Sequence, residues 1–302
     1  MKKKNFIVAI IVFIVGAGIF ALVNQPIATF ETTTTPQNDE TETDENEASG
    51  EVNEKPKEKE EESDQTTESE QRELSTVVTE AFQETVDIFT NRDTHIVAVG
   101  DSLTQGVGSS NDQGGYVEIL DRTINAEDQL VSIDNFGVRG DRSDQLLGRL
   151  DNPEVSAALE DADIVLITIG ANDIMKVVRE NFANLTIEEF KEERIHYEET
   201  LNQVFTRLKN INPNSDIYLL GFYNPFEQYF QDIEELGMIV ESWNKTGSDI
   251  AEEDDAVTFI PTVDLFDDSD TDLFADDNFH PNNFGYHRMA RRVLDYLTNE
   301  EG

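Results

Sequence analysis

The segment HIVAVGDSLTQGVGSS, residues 95–110, decides the fold. Its apolar run from Ile96 to Val99 shows no alternation of polar and apolar residues, and it stops abruptly at Gly100, Asp101 and Ser102. A short run rich in β-branched residues and closed by glycine reads as a strand buried on both faces. Further runs of this kind follow: LVSIDNFG at 130–137, DIVLITIG at 163–170, SDIYLLGF at 215–222 and AVTFIPT at 256–262. Helical patterns fill the intervals, at about 115–126, 141–150, 154–161, 186–210 and 230–253, with a last one at 282–298 and one over 73–91 ahead of the first strand. Strand alternating with helix predicts an α/β domain, a parallel sheet with helices on both faces. Ligands of such sheets sit beyond the carboxyl ends of the strands. Ser102, Gly140, Asn172 and the segment around His280 all fall on that rim.

Outward from this region the chain changes character. Residues 1–25, MKKKNFIVAIIVFIVGAGIFALVNQ, set Lys2, Lys3 and Lys4 before an uncharged apolar run from Phe6 to Val23. As a helix that run would span roughly 27 Å, close to a bilayer core. The lysines then predict a cytoplasmic N-terminus with the remainder outside the membrane. The expectation is one transmembrane anchor; a cleaved signal segment is the rival, although no small-residue cleavage site follows Val23. Residues 26–72 read as a disordered acidic linker. Between 31 and 72 there are 16 acidic and 4 basic residues and almost nothing apolar, so burial cannot offset the ordering entropy.

Residues 73–302 are left as the folded domain, with 48 acidic side chains against 15 basic ones, a formal charge near −33. That balance argues against nucleic acid as a partner, because a binding face needs clustered lysine and arginine to displace phosphate counterions. The absence of cysteine excludes disulfides, thiolate metal sites and cysteine nucleophiles. A monomer is the default expectation.

Ser102 alone could be a helix cap or a nucleophile. A serine hydroxyl becomes nucleophilic only when a base takes its proton and a third group orients that base. Of the four histidines, His95 begins a strand, His196 sits in the helical pattern KEERIHYEET and His287 lies inside the last helix. Only His280, in FADDNFHPNNFGYHRMA, has a carboxylate three residues before it, Asp277, in a loop just ahead of a helix. A carboxylate at that offset can reach Nδ1–H of the imidazole and leave Nε2 for the serine. Asp276 is the alternative orienter, and a plain polar turn capped by Pro281 is the bland reading. Acyl transfer also needs donors for a developing oxyanion. The Ser102 N–H is one; Gly140, in NFGVRGDRS, and the Asn172 amide, in ITIGANDIM, are the others, each of which could equally serve a turn or a helix cap.

Taken together, VGDSLTQG, NFGVRGDRS, IGANDI and DNFHPNNFGY resemble, in order and separation, the SGNH or GDSL hydrolases, over roughly residues 94–298. The resemblance implies a three-layer α/β/α flavodoxin-like domain of about five parallel strands that hydrolyses esters through an acyl-serine. It implies Ser102 as nucleophile, His280 as base, Asp277 as orienter, and Ser102, Gly140 and Asn172 as the oxyanion hole. Where the family often carries a second glycine in the third block this chain has Ala171. With the anchor and linker, the blocks look like the secreted or membrane-held lipases and lysophospholipase-like acylhydrolases of Gram-positive bacteria. A small-molecule or lipid acyl ester is then the substrate, with an O-acetylated cell-wall glycan as rival and a non-catalytic surface-binding protein as the reading from another class. Ile174, Met175, Val177, Phe222, Phe226, Tyr229 and Phe230 are candidates to line an acyl site. No cofactor or metal is implied. The acidic run DLFDDSDTDLFADD has Leu273 where a calcium loop needs glycine, and a solvated loop is the expectation.

Overall fold

The five apolar runs each supply one strand: β1 (Thr94–Gly100), β2 (Val131–Gly137), β3 (Ile164–Thr168), β4 (Asp216–Leu220) and β5 (Val257–Ile260). In the computed structural model they form one sheet of order β2-β1-β3-β4-β5 with every pair parallel. The structure describes Phe89 and residues 93–110, 113–181, 186–225, 234–267 and 271–298. The expected anchor, the acidic linker and, Phe89 apart, the helix expected over 73–91 lie outside the described residues.

Among the described residues the helices are α1 (Ser102–Gln105), α2 (Tyr116–Ile124), α3 (Ser143–Arg149), α4 (Pro153–Glu160), α5 (Ala171–Glu180), α6 (Ile187–Ile211), α7 (Glu234–Glu252) and α8 (Asn283–Thr298). Because side chains alternate across a strand, β1, β3 and β4 feed two cores. Val97, Val99, Val165, Ile167, Ile217 and Leu219 point to one face, where they meet α3 to α7. Ile96, Ala98, Leu166, Tyr218 and Leu220 point to the other, where α2 and α8 cover them. The middles of the central strands are therefore apolar, with polar residues such as His95, Thr168 and Asp216 only at their ends. β2 is an edge strand and departs from that expectation, leaving Ser132, Asp134 and Asn135 exposed.

α5 was not foreshadowed by the sequence pattern. Gly170, at φ +114°, turns the chain so sharply that helix follows strand with only Ile169 and Gly170 between them, and Ile174, Val177 and Val178 form its buried stripe. The strand order places a switch point between β1 and β3, whose connections leave in opposite directions. A crevice opens at the carboxyl ends of strands at such a point, and Ser102 and Asn172 stand on either side of it.

Candidate active site

The turn after β1 is built for close approach. Gly100 has φ +152°, and a Cβ there would lie 2.3 Å from the carbonyl oxygen of Thr168, so no other residue fits. Asp101 then donates its N–H to the same carbonyl (3.0 Å), while its Oδ1 accepts from the Leu103 N–H (3.0 Å) and the Thr168 hydroxyl (2.9 Å). Burial pushes the Asp101 carboxyl up to about 7, against those two hydrogen bonds. Its function is local: it caps α1 and ties β1 to β3. Ser102 is the first residue of α1, a position whose N–H has no partner inside a helix, and its side chain is buried.

The segment after the 3₁₀ turn Val263–Leu265 brings His280 to that serine. Phe274 and Pro281 form an antiparallel bridge, the Ala275 N–H donates to the His280 carbonyl (2.8 Å), and Asn278 takes a left-handed conformation at φ +53° to close the turn. Asp277 sits inside it. Its Oδ1 accepts the N–H groups of Phe279 (3.0 Å) and His280 (2.9 Å), and Oδ2 lies 2.6 Å from His280 Nδ1. The other ring nitrogen, Nε2, lies 2.9 Å from Ser102 Oγ. Partial burial raises the Asp277 carboxyl, but the His280 ring, the two N–H groups and the imidazole charge outweigh this and hold it at about 2. Asp276, the alternative orienter, is exposed. Tyr223, after β4, donates its hydroxyl to the Phe279 carbonyl (2.8 Å) and stacks on Phe266, fixing the loop from behind.

Gly140 and Asn172 are joined through the residue between them in space. Gly140, at φ +87°, is exposed in the loop after β2; the Asp141 carbonyl beside it accepts from Asn172 Nδ2 (2.9 Å). This engages one amide hydrogen of Asn172 and leaves the second free to point elsewhere. Asn172 does not cap its helix; Gly170 holds that position. Next to it, Asp173 is buried and accepts the N–H (3.0 Å) and hydroxyl (2.6 Å) of Ser143, which fastens α5 to α3. Burial pushes the Asp173 carboxyl up to about 6, opposed by those bonds. Arg149 reaches under the same loop, with Nε 2.5 Å from Asp141 Oδ2.

Beside Ser102 runs an apolar groove lined by Leu103, Ala171, Ile174, Met175, Phe222, Tyr223, Pro225, Val240 and Phe279. Phe222 is held by a double clamp, its N–H to Asn244 Oδ1 (2.7 Å) and its carbonyl to Asn244 Nδ2 (2.8 Å). Its ring packs edge-on against Trp243. Of the residues expected to line an acyl site, Ile174, Met175 and Phe222 do so; Val177 belongs to the core instead, buried on the inner side of α5. Phe226, Tyr229 and Phe230 lie outside the described residues.

Residues 98–288 match the model of the GDSL-like lipase/acylhydrolase family. The chain belongs to that family. Its curated relatives include YpmR of Bacillus subtilis, 36% identical over 209 residues that cover 68% of this chain and 82% of that protein. The spore germination lipase LipC of Bacillus licheniformis is 24% identical over 201 residues, 65% of this chain and 92% of LipC. Among solved structures, the lipase Lip_vut3 from a goat rumen metagenome superposes with a TM-score of 0.59 at 23% identity, over 67% of this chain and 96% of that one, which shows a shared fold.

All five residues singled out in the sequence lie at one rim: three in a continuous hydrogen-bonded line, two tied together by Asp141. Sequence reading missed Tyr223, Asp141 and Arg149. Asp141 and Arg149 carried a signal, an opposite-charge pair eight residues apart across a turn into helix, but nothing in the sequence says which carbonyls the guanidinium meets.

Proposed function

We propose that this chain hydrolyses carboxylic esters outside the membrane through an acyl-serine intermediate, as a lipase or lysophospholipase-like acyl esterase. The observation that carries this reading is the continuous contact from Ser102 Oγ through His280 to Asp277, at 2.9 and 2.6 Å. Both separations lie within hydrogen-bond reach, as a nucleophile and its general base require. Ser102 Oγ bonds to the acyl carbon as its proton passes to His280 Nε2, and the carbonyl π electrons move onto oxygen. The Ser102 N–H, the Gly140 N–H and the free Asn172 amide hydrogen receive the oxyanion. The carbonyl re-forms, the C–O bond to the alcohol breaks, and the alcohol leaves with the proton from His280. Water, deprotonated by the same nitrogen, then adds to the acyl-serine; collapse frees the acid and returns the proton to Ser102. The negative charge of Asp277 fixes the ring and stabilises the imidazolium formed in each half-reaction.

The apolar groove supports an acyl chain as the group that is bound. Residues 1–25 as anchor and 26–72 as spacer support a catalytic domain held outside the membrane, since three lysines precede the apolar run and the acidic stretch follows it. The test is turnover of p-nitrophenyl esters of graded chain length by the full-length chain in mild detergent, together with fluorophosphonate labelling. Labelling that maps to Ser102 and is lost in Ser102→Ala is expected, with rates that favour chains longer than acetyl. Inertness of the folded protein toward every ester and toward the fluorophosphonate would sink the enzyme reading, and a preference for acetyl alone would replace the lipid substrate with an O-acetylated one.

A further inference from the structure

We propose that Arg149 is a positioning residue that holds the oxyanion hole in shape. The inference rests on the reading of Ser102, Gly140 and Asn172 as the three donors. Arg149 is the last residue of α3, and all three of its guanidinium nitrogens are engaged: Nε with Asp141 Oδ2 (2.5 Å), Nη1 with the Phe136 carbonyl (2.9 Å) and Nη2 with the Gly100 carbonyl (2.9 Å). Two of the three acceptors neighbour a donor of the hole, and the third, Phe136, lies at the end of β2 that leads into the loop. Gly100 lies two residues before Ser102, and Asp141 follows Gly140 and presents its carbonyl to Asn172. One planar fork therefore sets the ends of β1 and β2 and the intervening loop at fixed separations.

The loop needs such a device. Val138, Arg139 and Gly140 are exposed, and a Cβ built on Gly140 would meet nothing within 4 Å, so packing does not orient the peptide that carries its N–H. The loop is held at its two ends, by the Val138 N–H on the Gly100 carbonyl (2.9 Å) and by Asp141, and once between them, by the Arg139 N–H on Gln105 Oε1 (2.7 Å); Asp141 is the anchor on the far side of the Gly140 peptide. Asp141 is held three ways: its N–H by the Val138 carbonyl (3.2 Å), its carbonyl by Asn172 and its carboxylate by Arg149. The Asp141 side chain is 10% exposed and that of Arg149 25%, so the pair is largely shielded from water and better defined than a surface pair. Preorganised donors act because they need no rearrangement as charge develops. Release of Asp141 would let the Gly140 peptide rotate and slow the chemical step without changing the acyl groove. A lysine, as a single point charge, cannot replace a fork that addresses three acceptors.

The experiment compares wild type, Arg149→Met and Arg149→Lys as full-length chains in p-nitrophenyl butyrate hydrolysis, with kcat and KM resolved, pH profiles recorded and thermal melts alongside. Loss of a whole oxyanion donor lowers kcat by about 10²–10³. Misplacing one should therefore lower kcat by about 10- to 100-fold in both variants, with KM within about twofold and the shape of the pH profile unchanged, because His280 and Asp277 are not touched. A staple with a merely structural role would lower the melting temperature and leave kcat of the folded enzyme alone. Wild-type kcat in Arg149→Met, full activity in Arg149→Lys, or a loss expressed only in KM overturns the inference. Should Arg149→Met fail to fold, Asp141→Asn, which keeps an acceptor for Nε–H but loses the charge, carries the same test with a smaller expected loss in kcat. An inert wild type would take down both this inference and the reading of the site, whereas an active wild type with indifferent variants takes down only this one.

Discussion

Replacement of Asp277 by asparagine changes one atom and should nearly abolish turnover. Oδ1 of Asp277 accepts two backbone N–H groups, from Phe279 and His280, so an asparagine must keep its carbonyl on that side; the flipped amide would set its NH2 against two donors. The NH2 then faces His280 Nδ1, where a carboxylate oxygen stood at 2.6 Å. The ring answers by placing its proton on Nε2, toward Ser102 Oγ, and loses the lone pair that would accept the serine proton. Restoring the active tautomer means giving up a hydrogen bond, a cost of about 1 to 2 kcal/mol. Loss of the carboxylate beside the imidazolium adds about 4 kcal/mol for charges roughly 4 Å apart at an effective dielectric constant near 20. The total, about 5 to 6 kcal/mol, corresponds to roughly a 10⁴-fold fall in kcat. Stopped-flow hydrolysis of p-nitrophenyl butyrate measures it, with circular dichroism to establish that the fold is intact and Asp276→Asn as the exposed control, expected at wild-type rate. If folded Asp277→Asn keeps more than about a tenth of wild-type kcat, Asp277 does not orient the base and this account of the site is wrong.

Asn172→Ala removes a proposed oxyanion donor and the bond to the Asp141 carbonyl, and should lower kcat by about 10²- to 10³-fold, some 2.7 to 4 kcal/mol, with little change in KM; steady-state kinetics would show it. Asp101→Asn tests the buried carboxyl pushed up to about 7. Its folded-state value lies above that of the unfolded chain, so between about pH 4 and 7 the unfolded chain binds fewer protons, and the contribution of Asp101 to stability falls as pH rises. Asparagine keeps an acceptor for Leu103 and Thr168 without that slope, so the melting temperature of the variant relative to wild type should climb from pH 5 to pH 8; a constant or falling difference contradicts it. Gly100→Ala places a methyl 2.3 Å from the Thr168 carbonyl at φ +152° and should cost roughly 3 kcal/mol or more in a urea titration.

The legibility of this chain from sequence follows the range of the interactions involved. β1, β3 and β4 were readable because burial on both faces forces the middle of each strand to be apolar, whatever the neighbours are. β2 was found for a weaker reason, its boundary glycine, since an edge strand tolerates Asp134 and Asn135 on its open side. α5 escaped because the usual punctuation was absent: only Ile169 and Gly170 separate it from β3, and the glycine that closes the apolar run is also the helix cap, leaving no loop to read. In the site the same division holds. Asp277 and His280 are three residues apart, so their contact is a local property of one turn and could be expected from spacing. Ser102 and His280 are 178 residues apart, and only the paired requirement of nucleophile and base linked them. Arg149 defines the limit of such reasoning. Its partners are two backbone carbonyls and one carboxylate, and a carbonyl leaves no mark in a sequence because every residue has one. A residue that acts on side chains can be inferred from the side chains it needs; one that acts on the backbone shows itself only once the strands are in register.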